Sequence, residues 1–409
     1  MKSLSRNIVM AMLIATIVSQ VSAQVKLNKT AIKIDSNSTF KARQNSSIVF
    51  TAVPSSSNLY DRTDKQVLPS SVPQSEVHLS FNPTNPLNIL LSCNTFPNGY
   101  SEQGYFYSFD WGKTWNGANW LANNGFGRGD PSTAFDASGN AYIETMSAPD
   151  LNADADGYLI QKSTNGGGSW LSQVRGAGPI ADGDKPMIAA DNMAASPYKN
   201  YLYCAWGSTF IQFNRSTDGG VSFSSRVALS TSASQGANVQ TGPNGELYVC
   251  FADYGNGPGA ATGVDLTRST DGGATFNAHI TFNFTGIRTD PDPNPLFNNT
   301  RVNDFPSMSV DKSGGPHRGR RYIVVAGKDN GNGKGVIYFT YTDDNLSFAP
   351  LKEISISNAT ESWFPWIAVD DTNGDIYVNY YAFIRVHNGR QIPTLLIQMM
   401  AEIHFQIKK

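Results

Sequence analysis

The sequence predicts an all-β chain folded as a six-bladed β-propeller whose last blade looks incomplete. Three observations lead there. One short signature recurs down the chain, each copy sits between two strand-like runs, and a second strand pair precedes each copy. The signature reads S-F-D-W-G-K-T-W from Ser108, S-T-N-G-G-G-S-W from Ser163, S-T-D-G-G-V-S-F from Ser216 and S-T-D-G-G-A-T-F from Ser269, with a worn copy, Y-T-D-D-N-L-S-F, from Tyr341. A self-similar period of roughly 50 residues marks supersecondary units stacked on one another.

Each copy has the chemistry of a pinned turn. Asp110, Asn165, Asp218, Asp271 and Asp343 are placed to accept hydrogen bonds from backbone N–H groups just ahead. The glycine that follows tolerates a left-handed backbone, and Asn345 takes its place in the last copy. The closing Trp115, Trp170, Phe223, Phe276 or Phe348 should fold back onto an apolar layer.

The strand pairs before the turns begin at Ser75, Asp130, Asp184, Gln235, Asp304 and Trp363, and each first strand ends near an Asp, Asn or Gly. A loop of variable length and a third strand such as L-I-Q-K-S or D-L-T-R-S then lead into the signature. Four strands per unit, repeated radially, make a propeller. Because strands alternate in direction, the starts of the first strands share one face with the long loops, and the repeated turns lie on the other. Irregular loops on a rigid scaffold are where function usually sits.

These signatures match Asp boxes, and residues 75 to about 390 resemble the Asp-box (BNR repeat) sialidase superfamily of β-propellers. The resemblance implies a glycan-acting protein, either a glycosidase or a non-catalytic binder of glycan or protein. It departs from the sialidase pattern at one important place. Sialidases of that superfamily carry an arginine in an F/Y-R-I-P motif on the first strand, whereas this chain has Glu76-Val77-His78-Leu79. No tyrosine–glutamate pair follows from the motifs either. The arginines expected on the functional face are Arg128, Arg301, Arg175 and Arg288, while Arg215 and Arg268 precede boxes and belong to the opposite face.

Carboxylates are the chemistry on offer at the functional face. Glycoside hydrolysis needs an acid and a nucleophile or base flanking the scissile bond. The candidates are Asp130, Asp184, Asp304 and Glu361, with Glu76 at the same rim, and with Arg128, Lys185, Trp206, Arg301 and Trp363 as substrate-binding candidates. The competing reading is that these carboxylates cap turns or line a wet channel. Asn152, Asp154 and Asp156, alternating ahead of Gly157, match the start of a calcium loop. Ser163 rather than Glu stands at the twelfth position, so a calcium ion there would need ligands from other loops; a solvated acidic turn is the alternative. No other cofactor is implied.

Composition sets the remaining bounds. The net charge of −2, with 16% charged residues, argues against nucleic acid as a main partner. Residues 1–23 read as a secretory signal: Lys2 and Arg6 begin it, Ile8–Val18 is the apolar stretch, and Val21-Ser22-Ala23 is the cleavage site. Export to the cell surface, the periplasm or the medium follows, with no segment expected to span a membrane. Residues 24–74 read as a Ser/Asn/Thr-rich linker within which 47–53 is able to form a closing strand. Cys93, Cys204 and Cys250, an odd number at similar strand positions, read as buried free thiols.

The pattern breaks at the end. Residues 75–409 form the propeller segment, but the last blade loses its pattern after Glu361–Tyr381, and Gln391–Lys409 show no third strand followed by a box. In the shifted frame that joins each third base to the next two, Met399-Met400-Ala401 forces Asp-Gly, and permitted codons around Arg390–Phe405 allow T-N-T-Y-F-A-Y-S-D-D-G-G-N-T-F. That is a third strand followed by a box. We therefore expect a frameshift near residues 383–390. Reading the nucleotides across codons 383–409 tests this: the shifted frame should encode S-D-D-G-G-x-T-F, and codons incompatible with it would refute the frameshift.

Overall fold

A computed structural model describes residues 49–52, 67, 70–96, 101–121, 127, 129–150, 155–178, 183–255, 259–287, 301–331, 333–355, 359–384 and 403–406. It contains six four-stranded antiparallel sheets, and no helix occurs among the described residues. The strand order of five sheets is simply the chain order. Blade 1 is β2 (Gln74–Phe81), β3 (Ile89–Thr95), β4 (Glu102–Ser108) and β5 (Asn116–Ala118). Blade 2 is β6 (Ser132–Phe135), β7 (Ala141–Ser147), β8 (Gly157–Ser163) and β9 (Val174–Ala177). Blade 3 is β10 (Asp184–Ala190), β11 (Leu202–Gly207), β12 (Ile211–Ser216) and β13 (Val227–Ala228). Blade 4 is β14 (Ser234–Thr241), β15 (Leu247–Asp253), β16 (Gly263–Ser269) and β17 (Ile280–Asn283). Blade 5 is β18 (Ser307–Val310), β19 (Arg321–Lys328), β20 (Gly335–Thr342) and β21 (Lys352–Glu353).

The sixth sheet combines both ends of the chain. β22 (Ala359–Val369) and β23 (Ile376–Ile384) form its inner pair. β24 (Ile403–Gln406) and β1 (Val49–Ala52) complete it, in the order β22-β23-β24-β1. The closing strand expected within 47–53 is thus the outer strand of blade 6. The expected incomplete blade is a four-stranded sheet here, because an open edge of N–H and C=O groups pairs with any extended segment in reach. Its third strand is thinly held: β24 meets β23 at one register pair, Ile376 with Phe405, whereas β1 and β24 pair over four residues. Residues 385–402, which would hold most of the shifted strand and box, are outside the described residues.

The repeated turns do what their residues predict. Asp218 Oδ1 accepts from the Val221 and Ser222 N–H groups, both at 3.0 Å, and Ser216 Oγ accepts from Gly220 N–H at 2.9 Å. Asp271 repeats the pattern with Ala274 and Thr275, and Asp110 and Asn165 with Thr114 and Ser169. The closing aromatics pack into the cores between neighbouring blades: Trp170, Phe223, Phe276 and Phe348 are partly buried there, and Trp115 is 8% exposed. The fifth copy departs from expectation. Its turn is one residue shorter, so Asp344, not Asp343, accepts from Leu346 and Ser347 N–H. Asn345 keeps a left-handed φ of 59°, and Asp343 is released to pair with Arg320 through both carboxylate oxygens at 2.7 and 2.8 Å.

Apolar faces of adjacent sheets form the core between blades, and the three cysteines lie buried and free within it. One buried polar group stands out. Glu144 on β7 is fully buried, and neither carboxyl oxygen has a hydrogen-bond partner. Burial pushes its pKa up to about 8, against a small opposing pull from the weak Cys204 thiol. Glu144 therefore holds a proton in the folded state that the unfolded chain releases near pH 4.5. The folded state binds more protons between these values, so stability falls as pH rises from about 4.5 to about 8 and levels off above. At ~1.4 kcal/mol per tenfold change in proton affinity, this is a few kcal/mol. Melting curves should show Tm falling across that window in the wild type and a flatter profile in Glu144→Gln.

Candidate functional site at the mouth of the axis

The innermost strands converge on one axis, and most begin with the same distortion. In β2 the register jumps from Ser75 opposite Asn94 to His78 opposite Ser92, so Glu76 and Val77 face one residue, Cys93. The same two-to-one bulge places Lys185-Pro186 against Trp206, Gly236-Ala237 against Phe251, and Phe364-Pro365 against Tyr380. A bulge bends the strand and re-aims a side chain. Here the first bulged residue takes a left-handed backbone: φ is 53° at Glu76, 49° at Lys185, 67° at Gly236 and 49° at Phe364. Asp130, just ahead of Pro131 and β6, has φ 50°. Four of the seven non-glycine residues with positive φ thus occupy one structural position. Such a conformation costs of order 1–3 kcal/mol per residue and concentrates at functional sites.

The residues thrown into the mouth by blades 1, 2 and 3 meet. Lys185 Nζ donates a hydrogen bond to Glu76 Oε2 and lies 3.5 Å from Asp130 Oδ1. Hydrogen bonds link Glu76 with Asp130 and Asp130 with Asp184. Asp130 is anchored from blade 1: its N–H donates to Asn94 Oδ1 at 2.6 Å, and Asn94 Nδ2 donates back at 3.4 Å. Gly129 must be glycine here, since its φ is 89° and a Cβ would come within 2.6 Å of Asn94 Oδ1. Thr145 Oγ1 and Met146 N–H hold the Gly129 carbonyl, at 2.8 and 3.0 Å.

Three carboxyls beside one ammonium cannot all be ionised in a recess. Burial raises Glu76 to about 7, and its hydrogen bond to Asp130 adds to the effect against the pull of Lys185. Asp184 rises to about 6 through burial and the Asp130 charge. Burial also opposes ionisation of Asp130, but the hydrogen bonds from its neighbours and the Lys185 charge outweigh it and bring Asp130 to about 2. The Glu76 side chain stays 43% exposed, so water moderates its shift. Below about pH 7 the cluster pairs an ionised Asp130 with a proton-bearing Glu76.

Blades 5 and 6 supply the opposite character. The Phe305 ring covers the place where a Gly236 side chain would stand, a Cβ there lying 2.4 Å from Phe305 Cγ. Phe364 packs edge-on to Tyr381. One layer deeper, His78 Nδ1 accepts from Thr133 N–H at 3.0 Å and its ring meets Trp366 edge-on at 5.6 Å. Burial lowers His78 to about 4, leaving it neutral in ordinary buffers.

The mouth thus unites Asp130, Asp184 and Lys185, together with Glu76, and leaves the other candidates elsewhere. Asp304 is sealed in, its Oδ1 accepting from Tyr254 Oη–H at 2.8 Å and its Oδ2 from Ala261 N–H at 2.7 Å, so it ties down the loop after β15. Glu361 is 8% exposed and accepts from Gly335 N–H at 2.6 Å, bridging blades 5 and 6. Trp206 and Trp363, at 1% and 2% exposure, are core side chains packed on Tyr158 and Tyr381 and offer no face to a ligand. Arg301 is exposed on the connection into blade 5. Arg128, Asn152 and Asp154 lie outside the described residues. Asp156 is held by Arg175 in a two-pronged pair at 3.1 and 3.2 Å. Among the described residues no group of three His, Cys, Asp or Glu side chains is placed to hold a metal.

The sequence places Asp184 among the catalytic candidates and Lys185 among the substrate-binding ones, and aligns Asp130 with Asp184. The structure aligns Asp130 with Lys185 and Glu76. An X-Pro pair at the start of an innermost strand (Asp130-Pro131, Lys185-Pro186, Phe364-Pro365) was the available signal.

No family model matches the sequence, and no curated protein matches it. Solved structures share the fold. The NanB sialidase from Streptococcus pneumoniae is 12% identical with a TM-score of 0.52, over 78% of this chain and 67% of that one. A leech intramolecular trans-sialidase is 10% identical with a TM-score of 0.51, over 84% and 69%. The α-L-arabinofuranosidase Arb93A from Fusarium graminearum is 13% identical with a TM-score of 0.52, over 83% and 94%. These likenesses establish a sialidase-like propeller fold. No helix among the described residues is long and apolar enough to cross a membrane.

Removing the ammonium should redistribute the mouth protons. In Lys185→Met, carboxyl carbon NMR should show the Glu76 and Asp184 titrations moving up by about one pH unit or more. Unchanged titrations would show that Lys185 does not act on them.

Proposed function

We propose that this chain is an exported, sialidase-like BNR-repeat propeller that hydrolyses glycosidic bonds at the mouth of its axis. The carrying observation is the left-handed bulge that brings Glu76, Asp130 and Lys185 together from three adjacent blades. Glu76 is the general acid, because it keeps its proton up to about pH 7 and its exposed side chain can approach a leaving oxygen. Asp130 is the ionised partner, base or nucleophile, fixed by Asn94. Lys185 holds the ionised carboxylates and binds substrate, and Asp184 supports Asp130. The aromatic side at Phe305 and Phe364 suits the apolar face of a sugar ring. Substrate entry between Glu76 and Asp130 would replace their hydrogen bond and place the two groups on either side of the bond to be cleaved. The first strand lacks the arginine that grips a sialic acid carboxylate, so a neutral glycoside is the better substrate class.

A second reading rests on a specific observation. The mouth carboxyls touch one another, closer than the ~5 Å or more that separates the pair in glycosidases. A non-catalytic glycan- or protein-binding propeller would tolerate that contact.

A panel of aryl glycosides, sialosides included, separates the readings. Turnover should appear with a neutral glycoside, fall ~100-fold or more in Glu76→Gln and Asp130→Asn, and decline as pH rises through about 7, where Glu76 loses its proton. Glycan-array binding without turnover by the folded full chain would favour the binder.

A further inference from the structure

A polar recess of about 360 Å³ opens on the face opposite the mouth, between blades 4 and 5. Four arginines line it: Arg268 at the end of β16, and Arg318, Arg320 and Arg321 where the chain turns into β19. Two carboxylates line it as well, Glu246 and Asp343, and both are engaged. Asp343 is taken by Arg320 in the two-pronged pair that the shortened fifth turn makes available. Glu246 accepts from Asn244 N–H and Nδ2 at 2.9 and 3.0 Å. His317 adds no charge near neutral pH, since burial and then the Arg320 charge hold it below its ordinary value.

That leaves positive charge in excess, four guanidiniums to two carboxylates, with Arg321 buried and Arg268 partly buried beside the Glu246 charge. Arg321 is 4% exposed, and its Nη1 donates to the Gly319 and Asp343 carbonyls at 2.8 and 3.0 Å. Its Nε is sealed from solvent without a partner, as is the Arg268 Nε. No carboxylate forms an ion pair with either arginine among the described residues. Stacking offsets part of the cost: Arg321 lies 4.9 Å from the Tyr248 ring centre and Arg320 4.2 Å from that of Tyr341. Stacking also fixes the guanidinium planes before any ligand arrives. A buried guanidinium without a counter-ion is costly unless an anion completes it, and fixed guanidinium forks suit oxyanions.

We propose that this recess binds a tetrahedral oxyanion, sulfate or phosphate, free or carried as an ester on a sugar. It is a second ligand site, on the far face from the mouth carboxylates and independent of their chemistry. Arg268 and Arg321 hold the anion, Arg318 is fixed beside them by the Lys312 and Ser313 carbonyls, and Glu246 weakens binding by repulsion.

Calorimetry and thermal melting of the full chain test it, with sodium sulfate, sodium phosphate, glucose 6-sulfate and glucose 6-phosphate against sodium chloride at matched ionic strength. Saturable binding of the oxyanions should raise Tm by a few degrees while chloride does not. Affinity should fall about tenfold or more in Arg268→Gln and rise in Glu246→Gln, a pair that needs only one variant to fold. Tighter binding of the esters than of the inorganic ions assigns the sugar-borne source; the reverse order assigns the free anion. Absence of saturable binding, or equal affinity in wild type and both variants, would overturn the proposal.

Discussion

Everything in this molecule depends on six innermost strands converging on one axis. Sheets that twist and pack face to face around a centre leave little room there, so the strands must bend as they start. A two-to-one bulge provides the bend in blades 1, 3, 4 and 6, and there it puts one residue into a left-handed backbone, as Asp130 also is ahead of β6. Only glycine adopts that conformation freely, yet blades 1, 2, 3 and 6 place Glu, Asp, Lys and Phe there. The scaffold carries this strain because the bulges are braced from outside. A large buried side chain (Trp206, Phe251 or Tyr380) lies opposite the bulge in three blades, and Asn94 and Thr145 clamp residues 129–130.

The opposite face is governed by the repeated turn. Its Asp or Asn satisfies the backbone N–H groups of the bend, and its aromatic residue locks the outer part of each blade into the next core. This division of labour leaves one face rigid and the other free to vary. The fifth turn shows how little is needed for novelty. Shortened by one residue, it transfers the turn to Asp344 and frees Asp343 to hold Arg320, which builds one wall of the arginine-lined recess.

Much of the fold was legible in the sequence, because turn residues and strand alternation are local signals. The five copies from Ser108 to Phe348 marked blades, strand order and the two faces. Closure of the ring was legible too, from one apolar run around Val49–Ala52. The site was only partly legible. Asp130, Asp184 and Lys185 were identified, but not that Glu76 joins them, because convergence across blades depends on bulges and register, which are non-local. Asp304 and Glu361 looked equivalent to the mouth carboxylates along the chain, yet one extra backbone N–H donor near each turns them into structural anchors. Trp206 lies next to the end of β11 and Trp363 beside the bulge of β22, where sequence does not distinguish a rim aromatic from a core one.

The central claim is that the mouth carboxylates contact a sugar. A crystal structure of the full chain with a bound oligosaccharide tests it most directly. The account predicts a sugar ring against Phe305 or Phe364, with Glu76 and Asp130 separated and both within hydrogen-bond distance of the glycosidic linkage. Density for the sugar elsewhere, with the Glu76–Asp130–Lys185 cluster undisturbed, would contradict it.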